Sequence, residues 1–115
     1  MEKYENLSNA IIERAVDDYR SIAIKLNYLK NNKDKVMQKI HEHDVKLMKP
    51  VHYTADGLQQ AYNRKVTAAK YELLDIENFF CSEWYRVLTK IDGKALLKMV
   101  KEDIKEKEGI DCDFL

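Results

Sequence analysis

Residues 58–80 read LQQAYNRKVTAAKYELLDIENFF, and Tyr62, Val66, Ala69, Leu73, Ile76 and Phe80 within them step by four, three, four, three and four. Side chains so spaced share one face of a helix, and an apolar stripe nearly three heptads long must pack on another helix. Its partner stands at the other end of the chain. Ile12, Ala15, Val16, Tyr19, Ile22, Ala23, Leu26 and Leu29 recur at three and four, with charges between them. These two stretches predict long amphipathic helices over 58–80 and 6–31, the latter capped by Asn6 or Ser8 and stopped near Asn31-Asn32, because Asn tolerates left-handed backbone.

The remainder fits around that pair. Asp34 is expected to cap a helix over 34–49 that carries Val36, Met37, Ile40, Leu47 and Met48, with Pro50 ending it. Residues 50–57 then form a loop, with Asp56-Gly57 a turn or the start of the next helix. Residues 82–90 either continue the long helix or restart at Ser82 as a short one. A last helix over 93–108 takes Asp92 as its cap, Leu96, Leu97, Val100 and Ile104 as its inner face, and Gly109 as its stop. The tail 109–115 is expected to fray. Only three glycines and one proline punctuate 115 residues, which suits helices and disfavours a many-turned β fold. The expected architecture is an all-α, single-domain bundle of four to five helices with two long amphipathic members.

Charge narrows the partners. Twenty basic and twenty acidic side chains cancel, so the chain lacks the overall attraction to phosphate of a dedicated nucleic-acid binder. Locally, residues 20–50 hold eight basic against three acidic side chains, a net of plus five. Lys25, Lys30, Lys33, Lys35, Lys39, Lys46 and Lys49, with Arg64 and Lys65, would gather on one side if the second helix folds back beside the end of the first. Lys35, Lys39, Arg64 and Lys65 are the candidate nucleic-acid contacts of that reading. An ordinary charged surface is its plainer competitor. No apolar run approaches the roughly 20 residues that span a bilayer. Two cysteines without an apolar leader suggest a reduced, cytoplasmic protein.

The densest feature is Phe79, Phe80, Trp84 and Tyr85, followed by Val87, Leu88 and Ile91. Phe80, Trp84, Val87 and Ile91 share a face at helical spacing, which predicts a structural hub. The functional alternative makes Phe79, Trp84, Tyr85 and Arg86 a protein interface, since Trp, Tyr and Arg dominate binding hot spots. Cys81, inside this block, is expected to be a buried thiol. Cys112 lies between Asp111 and Asp113, whose charges disfavour its thiolate. His41 and His43 in His41-Glu42-His43-Asp44 would point about 200° apart on a helix, so no metal is expected there and a solvated polar face is. Neither a phosphate-binding glycine loop nor a nucleophile motif appears, so no catalytic residue and no cofactor is predicted.

Two stretches, ENLSNAIIERAVDDYR over 5–20 and IENFFCSEWY over 76–85, with Leu88-Thr89 and Ile91-Asp92-Gly93, resemble a family of small helical proteins of Gram-positive phages and integrative elements. Residues 33–70 are expanded relative to that family. The resemblance implies a mobile-element origin and, by analogy with small phage accessory proteins, action by occupying a surface of a host protein, including bacterial defence complexes such as CRISPR-Cas. The expected function is therefore a non-catalytic protein-binding module acting on a host or phage protein. Self-association through the Tyr62 to Phe80 seam is a further expectation.

Overall fold

The computed structural model describes residues 9–48 and 54–115. It is an all-α bundle of α1 (Ala10–Asn31), α2 (Lys33–Lys46), α3 (Ala55–Phe80), α4 (Glu83–Leu88) and α5 (Gly93–Glu108), followed by one 3-10 turn at Cys112–Phe114, and no strand occurs among the described residues. Leu29 lies beside Tyr62 and Tyr19 beside Glu77, so α1 and α3 run antiparallel along the bundle. Tyr62 donates its hydroxyl proton to the Leu29 carbonyl at 2.8 Å, which gives the last turn of α1 one partner for its free carbonyls.

Each boundary has a local cause. Asn9 starts α1 by accepting from the Ile11 N–H at 2.9 Å; the expected caps Asn6 and Ser8 lie outside the described residues. Asn32 separates α1 from α2 with φ −128° rather than a left-handed turn, and its backbone N–H and side-chain amide both donate to the Tyr28 carbonyl. Asp34 consequently sits in the first turn of α2 and is not its cap. At the far end, α2 stops at Lys46, short of the expected 49, and Lys49 and Pro50 lie outside the described residues. Thr54 accepts from the Gly57 N–H at 3.0 Å, so α3 begins at Ala55 and Asp56-Gly57 belongs to its first turn.

The seam on α3 is spent inside the chain. Tyr62, Ala69, Leu73 and Phe80 are buried, with Val66 and Ile76 packed against the same core as Ile12, Val16, Tyr19, Ala23 and Leu26 of α1 and Leu96, Val100 and Ile104 of α5. Each such fully buried Leu, Ile, Val or Phe contributes roughly 1.5–3 kcal/mol of transfer free energy. A face already covered by α1 and α5 is not available for self-association, which removes the seam as a dimer surface.

Ser82 ends α3 and starts α4. Its hydroxyl donates to the Phe79 carbonyl at 2.6 Å and accepts from the Tyr85 N–H at 3.2 Å, so one side chain stops one helix and caps the next. The restart rotates the faces out of register. Phe80 and Tyr85 turn inward, whereas Trp84 is 57% and Val87 82% exposed, so the hub expected of Phe80, Trp84, Val87 and Ile91 does not form as one stripe. α4 ends at Leu88, two residues before the expected 90.

The tail does not fray. Gly109 takes φ 68°, closing α5 in the left-handed conformation that glycine tolerates. Ile110 is then buried, Asp111 caps the 3-10 turn by accepting from the Asp113 N–H, and Lys101 reaches Asp113 at 3.0 Å. Burial opposes the charge on Lys101, but Asp113 and Glu77 outweigh it and hold its pKa above the ordinary lysine value. No helix among the described residues is long and apolar enough to cross a membrane.

Candidate interaction surfaces

The helical restart at Ser82 builds an aromatic corner. Phe79 stands at its centre, with ring centroids 5.6 Å from Phe80, 5.5 Å from Trp84 and 5.8 Å from Tyr85, and the Trp84 and Tyr85 rings meet it edge to face. Such pairs contribute roughly 0.5–1.5 kcal/mol beyond their buried area, so the exposed indole is braced rather than loose. Arg86 and Val87 are exposed beside it, and Phe79 is half-buried. Of the four residues expected at a protein interface, Trp84 and Arg86 are displayed and Phe79 supports them. Tyr85 is a core residue, 1% exposed, and leaves the interface set. Val87 joins the surface instead.

Cys81 is exposed, contrary to the expectation of a buried thiol, because it sits on the turn between α3 and α4 rather than within a continuous helix. Cys112 is half-buried, and burial, ahead of the neighbouring Asp113 and Asp111 charges, raises its pKa. Tyr19 lies beneath the tail with its hydroxyl 3.0 Å from Glu77; burial, then the Glu77 charge, pushes its pKa far above the ordinary tyrosine value. These groups pin the tail to α1, α3 and α5.

The second surface is a groove of about 600 Å³ where the end of α1, α2 and the middle of α3 meet. Leu29, Val36, Ile40 and Ala61 form an apolar floor, and Lys39, Arg64 and Lys65 stand on its walls. Three of the four predicted nucleic-acid contacts are thus brought together. Lys35 is not among them; it lies at the α1–α2 corner with Lys30 and Lys33, and the Lys33 ammonium is 5.5 Å from the Tyr62 ring centroid. Asp44 also lines the groove and is only 4% exposed, and His41 is half-buried, so the His41 to Asp44 run is not the solvated face expected of it. Among the described residues no group of His, Cys, Asp and Glu is arranged to hold a metal ion.

A second buried carboxylate, besides Asp44, escaped the sequence reading. Asp103, fully buried, accepts from the Arg20 guanidinium and lies 3.3 Å from the Lys107 ammonium. Its spacing of three from Val100 and seven from Leu96 places it on the inner stripe of α5, which was the available signal.

Fold and surfaces together define a small all-α bundle with an exposed aromatic corner and a basic, apolar-floored groove. Family models, curated proteins and solved structures contain no match to the chain.

Proposed function

We propose that this chain is a non-catalytic protein-binding module that modulates or inhibits a host or phage protein through the α3–α4 corner. The observation that carries this reading is the braced exposure of Trp84, 57% accessible beside the 82% accessible Val87 and the exposed Arg86. A large rigid aromatic, an apolar neighbour and a guanidinium are the side chains that concentrate binding energy when a partner covers them. The complementary site is an apolar pocket with a carboxylate within reach of Arg86. The densest polar cluster near the tail, formed by Tyr19, Glu77, Lys101 and Asp113, is engaged in mutual hydrogen bonds and ion pairs, which supports a structural rather than a chemical role for it. The resemblance to small proteins of Gram-positive phages suggests where to seek the partner, and a defence complex such as CRISPR-Cas belongs among the candidates.

The test uses purified protein to capture partners from a Gram-positive host lysate, followed by affinity measurement with the partner recovered. Trp84→Ala is expected to weaken binding by at least 2 kcal/mol, about 30-fold, with the helical circular dichroism unchanged. Recovery of nucleic acid without any protein, or a Trp84→Ala variant that binds as tightly as the parent, sinks the reading.

The gathering of Lys39, Arg64 and Lys65 favours a second reading, a nucleic-acid-binding accessory factor. It predicts DNA or RNA binding that falls steeply with salt and drops further in Lys39→Glu or Lys65→Glu. Absent or salt-insensitive binding in a titration at two ionic strengths removes it.

A further inference from the structure

A cleft of about 490 Å³ separates the α3–α4 corner from the head of α5, and Arg86, Lys90 and Lys94 line it together with Asp92, Gly93 and Tyr85. Three cations face one carboxylate there, a net of plus two. Gly93 and Lys94, the first residues of the sixteen-residue α5, line the same place, and an α-helix carries partial positive charge at that end. Asp92 takes only the Lys94 N–H of the first turn, at 3.2 Å. A helix start ringed by surface cations is common and proves nothing alone.

Tyr85 supplies the independent observation. The residue is 1% exposed, it lines this cleft, and its hydroxyl is buried without a hydrogen-bond partner. Buried hydroxyls in folded proteins nearly always have a partner, so an orphan at the wall of a cleft calls for a missing acceptor. Burial, and then the Asp92 charge, raises the pKa of this phenol, so at neutral pH it keeps its proton and remains a donor.

We infer that this cleft binds a phosphate dianion, either free or as the terminal monoester of a small molecule, using Arg86, Lys90, Lys94, the head of α5 and the Tyr85 hydroxyl. The chemistry selects this class. A dianion balances the net charge of the cleft, and its several acceptor oxygens answer a guanidinium, two ammonium groups, backbone N–H groups and a phenol at once. A bound water would satisfy the phenol alone. The site shares Arg86 with the protein-binding surface but not Trp84 or Val87. Lys94→Ala therefore tests it without touching that surface, and Trp84→Ala tests the protein-binding reading without touching the cleft.

The test is an amide-resolved NMR titration of the whole, isotope-labelled chain with inorganic phosphate, and separately with adenosine monophosphate, against chloride at matched ionic strength. Saturable shifts are expected at Gly93, Lys94 and Tyr85, but not under chloride. Tighter binding of the ester identifies a small-molecule monoester as the ligand, and equal binding shows that the phosphate group suffices. Lys94→Ala or Arg86→Gln, both at exposed positions, is expected to weaken binding about tenfold, the effect of losing one charge-assisted hydrogen bond. Tyr85→Phe should weaken it severalfold while leaving the fold intact, since the phenol bonds nothing in the free protein. Shifts spread evenly over surface lysines, no saturation through the millimolar range, or unchanged affinity in Lys94→Ala and Arg86→Gln would overturn the proposal. Should Tyr85→Phe fail to fold, those two variants decide it.

Discussion

Gly93→Ala is expected to destabilise the bundle by at least about 3 kcal/mol, lowering its melting temperature by about 12 °C or more. Local propensity predicts the opposite sign, because replacing a helical glycine by alanine ordinarily gains up to about 1 kcal/mol. Packing decides the matter. A β-carbon on Gly93 would lie 1.7 Å from the Phe80 carbonyl oxygen and 3.1 Å from the Tyr85 ring. The carbonyl belongs to the backbone at the end of α3, so no side-chain rotation relieves the clash; α5 must lift away from α3 and uncover Phe80. Gly109→Ala is the control. Gly109 has φ 68° and open space around its would-be β-carbon, so alanine there meets only backbone strain, about 1 kcal/mol. Urea unfolding followed by circular dichroism measures both. A Gly93→Ala variant as stable as the parent would show that the heads of α5 and α4 do not press against α3 as described.

The long elements were legible because each rests on a repeating pattern. The seam from Tyr62 to Phe80 and the stripe from Ile12 to Leu29 state helix and inward face together, and the structure packs one on the other. The aromatic corner was legible as a place but not as an orientation. Whether Trp84 is core or surface depends on whether Ser82 caps a new helix or rides within the old one, and a serine hydroxyl is competent for both. In the structure it caps a new helix, through two local hydrogen bonds, to the Phe79 carbonyl and from the Tyr85 N–H. Cys81 was misplaced for the same reason. The docked tail was hidden differently, because the pairs that hold it, such as Lys101 with Asp113, involve ordinary surface residue types whose proximity no spacing rule announces. The basic groove was conditional on the direction of α2, and Lys39, Arg64 and Lys65 meet because α2 packs on α3. Lys35 falls outside because it sits at the α1–α2 corner, among the residues around the Asn32 break.

Arg20→Ala is expected to cost about 3 kcal/mol, more than a surface ion pair contributes, because it strips the guanidinium from a carboxylate with no solvent exposure. Asp103 would keep Lys107 at 3.3 Å, but that ammonium belongs to a half-exposed side chain and offers a point charge in place of a planar donor fork. The loss therefore falls short of leaving the carboxylate wholly unpaired, and it should still separate from the ordinary scatter of surface substitutions in a urea titration. The double variant Arg20→Met with Asp103→Leu distinguishes the cost of a stranded charge from the value of the pair. Replacing both partners by apolar groups of similar size removes the desolvation penalty along with the attraction, so stability should return to within about 1 kcal/mol of the parent or exceed it. Because α1 and α5 meet at this contact, hydrogen exchange in Arg20→Ala should quicken first in α5. An Arg20→Ala variant that unfolds at the parent's urea midpoint would mean that Asp103 reaches solvent and that α5 does not hold it against α1.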